Sequence, residues 1–199
     1  MAVDIDGVNS TISTDKLIPQ SGTALQIGES GDTVTLVGSA VGFGGGKVLQ
    51  VLQTVLTAPV STTSTSMVDL TGLSQAITPS ATTSKILVSV SLTFAGTGGS
   101  GTAFQFVRDS TAIGIGDAAG SRIRSTFGTR DTLGNDAQQN VHVQFLDPNT
   151  PADTTTAITY KIQWRARAST SYTGSSVSDT DNSQYHRSIS EITVMEIGA

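Results

Sequence analysis

Residues 158–168 read Ile158-Thr-Tyr-Lys-Ile-Gln-Trp-Arg-Ala-Arg-Ala168, and apolar side chains alternate with polar ones over the whole stretch. Successive side chains of a β-strand point to opposite faces, so a strand here has one apolar face and one hydrated face. The apolar face carries Trp164, the only tryptophan of the chain, and the hydrated face carries Lys161, Arg165 and Arg167. The pattern predicts a long half-buried strand whose aromatic side chains lie in the core.

A second stretch, residues 86–94, repeats the alternation with Ile, Val, Val, Leu and Phe on one face. Two such strands, joined by Ser-, Thr- and Gly-rich loops, predict an all-β protein with an antiparallel, jelly-roll-like β-sandwich. Residues 47–56 fit both a strand and the i, i+3, i+4, i+7 stripe of a helix, and their β-branched content favours the strand. The remaining strands are predicted at 66–70, 103–108, 111–115, 121–127, 139–146 and 188–197.

Composition narrows the class of protein. The chain has 199 residues, a formal net charge of −5 and no cysteine, which excludes disulfides, thiolate zinc sites and a cysteine nucleophile. A negative chain is poorly suited to general nucleic-acid binding, which neutralises phosphates. No apolar run reaches the roughly 20 residues of a membrane helix. The acidic N-terminus lacks a signal-peptide pattern, so we expect folding in the cytoplasm and no membrane insertion.

The first 46 residues differ from the rest. Gly, Asn and Asp break them into short pieces with one strand-like stretch, at 33–37, and they end in Gly42-Phe-Gly-Gly-Gly46. This segment has too few apolar residues to bury a core of its own, and its glycine run is typical of a flexible joint. We therefore predict an extended N-terminal arm (1–46) for attachment or oligomerisation, with a Gly-rich hinge, followed by a β-sandwich domain (47–199).

Four stretches occur in order along the chain: IPQSGTALQIGESGDTVTL (18–36), GGGKVLQVLQ (44–53), ITPSATTSKILV (77–88) and ITVMEI (192–197). Together they resemble segments of fibre and appendage proteins of tailed bacteriophages, especially aquatic ones. The resemblance implies a virion structural protein, a homotrimer, with the arm near its attachment point and the sandwich outward. Fibres of this kind usually carry a much longer docking module, so the tail, neck and capsid shell all stay open as anchoring places.

Three functions follow from these features. The first is a trimeric phage fibre or appendage that attaches to a host surface glycan or protein and joins other virion proteins through residues 1–46. The second is a capsid decoration or cement protein built from the same arm and sandwich. The third is a secreted carbohydrate-binding module, which the missing signal segment and the core position of the aromatic residues disfavour.

No residue pattern in the sequence strongly indicates catalysis, phosphate binding or metal binding. The two histidines, His142 and His186, lie on a hydrated strand face and in a polar loop, and there is no Gly-x-Ser-x-Gly motif. Residues 42–47 lack the Ser or Thr that a phosphate-binding loop needs after its lysine. Paired aspartates of the kind that cleave glycans are Asp131 with Asp136 and Asp179 with Asp181, and short polar loops normally carry such residues to form turns. Asp4 with Asp6, and Asp179 with Asp181, are fragments of a calcium-binding pattern without the later acidic ligand of an EF-hand. We predict no enzymatic activity, no metal and no cofactor.

Two groups of residues are candidates for binding. Two loops stand out, a glycine-rich one at 96–102 and a long polar one at 169–187. Aromatic side chains in the long loop can contact a receptor, and Tyr172, Tyr185 and His186 are the candidates. The cations Lys161, Arg165 and Arg167 share one strand face, and we predict that they meet acidic loops of a neighbouring subunit.

Overall fold

The computed structural model describes residues 47–147 and 156–198, so the predicted arm (1–46), with its strand at 33–37 and its hinge, lies outside the described residues. The described part contains eleven strands and one short 3-10 helix at Thr97–Gly99. The strands are β1 (Val48–Leu56), β2 (Val60–Thr62), β3 (Val68–Ile77), β4 (Lys85–Gly96), β5 (Thr102–Arg108), β6 (Thr111–Ile113), β7 (Phe127–Gly128), β8 (Gln139–Asp147), β9 (Ile158–Ala166), β10 (Ser171–Thr173) and β11 (Ser190–Ile197).

The strands form two antiparallel sheets with jelly-roll connectivity. Without the short β2, β7 and β10, sheet A has the order β1-β11-β4-β8 and sheet B has the order β3-β9-β5-β6. Along the chain each of these strands crosses to the other sheet, except for the hairpin that joins β5 to β6. This alternation of sheets is the topology of a jelly roll. The predicted all-β sandwich is therefore confirmed.

The inward faces of the two sheets make one core. The apolar residues of β9 face inward as predicted, and Tyr160 and Trp164 are 0% and 1% exposed. An aromatic cluster joins the sheets: Phe94 of sheet A lies edge-on to Phe104 of sheet B, with ring centroids 5.6 Å apart. Phe104 also stacks on Trp164 at 6.1 Å. The predicted burial of Trp164 and Tyr160 in the core is confirmed, which removes both rings from any surface platform.

Two predictions about single strands are resolved by the structure. Residues 48–56 form β1, so the strand interpretation of the ambiguous stretch is confirmed. The strand predicted at 121–127 is wrong, because only Phe127 and Gly128 pair with β5. The preceding residues form a separate loop, in which Gly114 and Gly120 have positive φ and the Gly116 N–H donates to the Ser125 carbonyl at 3.1 Å. Backbone that turns back on itself in this way cannot extend into a ladder.

The two ends of the sandwich differ. At one end, which we call the base, β1 begins beside the end of β11, since Val48 pairs with Ile197, and β4 begins at Lys85. At the other end, which we call the loop end, the segments 63–67, 97–101, 129–138 and 174–189 connect the strands. Residue 47 is at the base, so the chain enters the sandwich at the end opposite to these loops.

Two buried carboxylates close the core at the base. Glu196 is 0% exposed and accepts hydrogen bonds from the Ser80 N–H, the Ser80 hydroxyl and the Gln50 amide, each at 2.7 Å. Asp147 pairs with Arg108 at 2.7 Å and accepts a hydrogen bond from the Tyr160 hydroxyl at 3.1 Å. Each carboxylate thus has the partners that a buried charge requires. Burial raises the pKa of Tyr160, and the neighbouring Asp147 raises it further.

The Glu196 carboxylate is held in its charged form. Burial by itself raises its pKa, but the polar groups of Ser84, Gln50 and Ser80 around it outweigh burial and lower the pKa to about 2 from an ordinary 4.5. A carboxylate whose pKa is lower in the folded state stabilises the fold above its unfolded pKa. The contribution is lost as the pH falls from about 4.5 towards about 2.

Replacing Trp164 by alanine should destabilise the sandwich by about 3–5 kcal/mol, because it leaves a cavity where a buried ring met Phe104. The matched control is Leu133→Ala, an apolar truncation at a side chain that is 74% exposed, which should change stability by less than about 0.5 kcal/mol. Urea unfolding measures both stabilities, with far-ultraviolet circular dichroism as the signal because it does not depend on the tryptophan. Equal stability of the two variants would place Trp164 outside the core.

Glu196→Gln should lower the free energy of unfolding at pH 7 by roughly 3 kcal/mol at most, which is the value of a pKa change from 4.5 to about 2. The difference between the wild type and the variant should shrink as the pH falls through this window, since the wild-type carboxylate is then protonated. Unfolding curves at closely spaced pH values measure the difference. A difference that does not change with pH would contradict the assigned role of the Glu196 charge.

Candidate binding groove at the loop end

Hydrogen bonds tie the loops of the loop end to one another. The Thr97 N–H donates to the Thr170 carbonyl at 2.9 Å, which joins the two loops that the sequence predicted as contact loops. Asn135 then links both to a third segment: its side-chain oxygen accepts from the Gly98 N–H at 2.9 Å and its carbonyl accepts from the Val177 N–H at 3.0 Å. Loops that are distant in the sequence therefore form one surface.

An open groove lies on this surface, between the start of β8 and the segment that precedes β11. Its volume is about 270 Å³. The residues around it carry carboxylate, amide, hydroxyl, imidazole and phenol groups, a mixture that suits a polar ligand with many hydroxyls. They are Asp136, Gln138, Asn140, Ser176, Gln184, Tyr185, His186 and Ser188.

Asp136 and Gln138 hold the walls of the groove in place. Both ends of the Gln138 amide are engaged, because Nε2 donates to the His186 carbonyl and Oε1 accepts from the Ser188 hydroxyl at 3.1 Å. Asp136 accepts a hydrogen bond from the Tyr185 hydroxyl at 3.2 Å and another from the Ser178 hydroxyl. These two side chains, which directly precede β8, connect that wall of the groove to the 174–189 loop.

Three other side chains of the groove are open to a ligand. Asn140, Gln184 and His186 are exposed, and their side chains make no hydrogen bond with the residues that the structure describes. Asn140 begins the outward row of β8, whereas Gln184 and His186 lie on the opposite wall. Two amides and an imidazole therefore face the same volume with free donors and acceptors.

Two of the three predicted receptor contacts line the groove, and the third does not. Tyr185 and His186 both line the groove, Tyr185 half-buried and His186 exposed. Tyr172 does not line it: this residue lies in β10, where it pairs with Ala95 on one side and Ser61 on the other. Whether these residues contact a receptor stays a prediction, but only Tyr185 and His186 belong to a shared site.

Sequence reasoning missed the β8 side of the groove. Gln138 and Asn140 are more than 40 residues away from Tyr185, and only the pairing of β8 with β4 brings them to the loop end. A signal was present in the sequence, because Asn140, His142 and Gln144 alternate with Val141, Val143 and Phe145 and form a polar outward row. That row shows which side chains face solvent, but not which loop lies opposite.

The predicted inter-subunit cations all have partners within their own chain. Lys161 pairs with Asp69 at 2.7 Å, Arg167 pairs with Asp131 at 3.2 Å, and Arg165 donates to the Thr65 carbonyl at 2.6 Å. The hydrogen bond from Lys161, followed by that from Gln163, lowers the pKa of Asp69. Contact of these cations with a second subunit stays a prediction. As solvent-exposed pairs they contribute about 0–1 kcal/mol each.

Among residues 47–147 and 156–198, no three His, Asp or Glu side chains are placed to hold a metal ion together. Asp179, one of the sequence candidates for calcium, instead forms a two-point contact with Arg187 at 2.9 and 3.1 Å. The pair Asp4 and Asp6 lies outside the described residues. His142 faces outward on β8 as expected, and its Nε2 is 3.5 Å from the Ser89 hydroxyl. No helix in the described ranges has the length and apolar character needed to cross a membrane.

No protein-family model matches the chain, and no curated protein matches it. Among solved structures, the chain is similar to a chain in the structure of infectious bursal disease virus, Gx strain, with a TM-score of 0.34 and 15% identity. The match covers 82% of this chain and 44% of the viral one, so the chain spans less than half the length of that protein.

Gln138→Ala should loosen the wall of the groove without unfolding the sandwich. The variant loses two side-chain hydrogen bonds to the segment 186–188, so the amides of residues 184–188 should exchange faster with solvent. The loss in global stability should be about 1–2 kcal/mol. Gln144→Ala, on the same outward row of β8, is the matched control and should leave exchange in 184–188 unchanged. Mass-spectrometric hydrogen exchange measures both, and identical protection in the two variants would contradict the role of Gln138.

Proposed function

We propose that this chain is a structural subunit of a tailed-phage particle, a homotrimeric fibre or appendage that attaches to the host surface. The observation that carries the proposal is the opposition of the two ends of the sandwich. The chain enters at the base, where Val48 pairs with Ile197, and the polar groove opens at the loop end. Residue 47 and the groove therefore lie at opposite ends of the described sandwich.

The resemblance of four ordered stretches to phage fibre and appendage proteins supports the same function. Of these stretches, residues 77–88 run from the end of β3 into β4, and residues 192–197 lie within β11. Both belong to the framework of the sandwich rather than to the groove. The resemblance thus concerns the shared scaffold, whereas the ligand would be chosen by the loop end.

The chemistry of the groove favours a saccharide of the host surface as the ligand. Amides, a carboxylate and a hydroxyl pair with sugar hydroxyls, and an aromatic ring such as that of Tyr185 packs against the apolar face of a sugar. Hydrolysis of a glycoside usually requires two carboxyl groups on either side of the bond. Asp136 is the single carboxylate among the groove residues, which supports binding without cleavage.

The place on the particle is tested by immunogold labelling of purified particles with antibody against the sandwich. Gold at the tail, the neck or its fibres is the expected result. Gold spread evenly over the shell would instead assign the chain to capsid decoration and would contradict an attachment role for the groove. Labelling of the full-length protein in the assembled particle avoids any assumption about the behaviour of residues 1–46 in isolation.

Binding is tested with purified full-length protein added to cells of a strain that the particle infects. Wild-type protein should bind the cells and compete with particle adsorption. Gln184→Ala combined with His186→Ala should weaken binding about tenfold or more, because two hydrogen-bonding groups open to the ligand are lost. Gln144→Ala is the matched control outside the groove. Equal competition by the groove variant and the control would show that the groove is not the attachment site.

A further inference from the structure

A row of apolar side chains crosses the outer face of sheet A near the base. Val51 of β1 pairs with Met195 of β11, Met195 pairs with Leu87 of β4, and Leu87 pairs with Leu146 of β8. Directly opposed residues of neighbouring strands point to the same face of a sheet. These four side chains therefore form one continuous line across all four long strands of sheet A, which we call the base row.

The base row is not needed by the core. The inward positions beside it are occupied by Leu52, Val194, Val88 and Phe145, which pack in the interior. In the base row itself, Val51 is 53% exposed and Leu146 is 45% exposed. Antiparallel sheets with one hydrated face normally place polar residues at such outward positions. Apolar side chains on both faces of the sheet at this point indicate a second surface that is buried in an assembly.

On the loop-end side the neighbours of the base row are uncharged, whereas on the base side the next outward row includes the exposed Lys85, which pairs with Ile197. The next outward row towards the loop end consists of Gln53, Thr193, Ser89 and Gln144. Two adjacent rows on four strands thus present eight side chains, none of which carries a charge at neutral pH. The whole chain has a net charge of −5, so two copies repel each other over most of their surfaces. A neutral apolar area is where identical negative chains can approach with the least repulsion.

The outer face of sheet B has the opposite character. It carries Lys161, Asp69 and Gln163, which already satisfy one another within a single chain. Bringing this face against a second copy would remove paired charges from water with no new partner in return. The base row has no such desolvation cost.

We propose that the base row is the contact surface between copies of this chain, in place of the cationic face of sheet B. A second copy is the occupant that these features favour, because an uncharged apolar area is where chains of net charge −5 meet with the least repulsion. The inference is independent of what the groove at the loop end binds.

The test measures the association of full-length protein by sedimentation equilibrium over a range of concentrations. Val51→Glu and Leu146→Glu each place a charge in the contact, at positions exposed enough for the single chain to fold. Each should raise the dissociation constant about tenfold or more, since a buried carboxylate would lack a partner. Leu133→Glu is the matched control: it adds the same charge at a side chain that is 74% exposed in the 129–138 loop, and it should associate like the wild type.

Circular dichroism and melting temperatures establish that all three variants are folded. Wild-type protein that stays monomeric over the whole concentration range would overturn the proposal. Association that is unchanged in both base-row variants would also overturn it, and would assign self-association to another surface or to residues 1–46. Equal weakening in all three variants would overturn it as well, because the effect would then come from net charge alone.

Discussion

The structure depends on the burial of the inward faces of two sheets against each other. Neither sheet can be stable alone, because each has a row of large apolar side chains that only the other sheet covers. The contact of Phe94 with Phe104, and of Phe104 with Trp164, joins the sheets at their centre. Once this interior is closed, all polar segments that link the strands must lie at the two ends. The separation of a base from a loop end is thus a consequence of the core.

Alternation of apolar and polar residues predicted the strands that supply this core. The prediction succeeded for strands with one buried face and one face exposed to solvent. It was ambiguous at β1 for a physical reason. Val51 and Val55 are outward and apolar, and with the inward Leu52 and Leu56 they produce spacings that also fit a helix. The failure at 121–127 has a different cause, since most of that segment belongs to a loop in which Gly114 and Gly120 have positive φ and the Gly116 N–H donates to the Ser125 carbonyl. Strands β2 and β10 span three residues each, too few for any periodicity.

The groove could be predicted in part. A long polar loop with aromatic residues pointed to Tyr185 and His186, and both line the groove. The opposite wall, with Gln138 and Asn140, depends on which strand end meets which loop, and that is decided by the topology of the sandwich rather than by any local pattern. Tyr172 shows the converse: its neighbours in the sequence suggested a loop, but pairing with Ala95 and Ser61 makes it part of sheet A.

The position of β11 has a consequence for how the chain is made. β11 follows every other described strand in the sequence, yet it lies in the middle of sheet A, between β1 and β4. During synthesis, β1 must wait for a partner that leaves the ribosome after all the other described strands, and such long-range pairing makes folding slow. Until then β1 and β4 present open apolar strands to any neighbour, including other nascent copies on the same message. Sheet A can therefore be completed only in chains that have been translated through to Ile197.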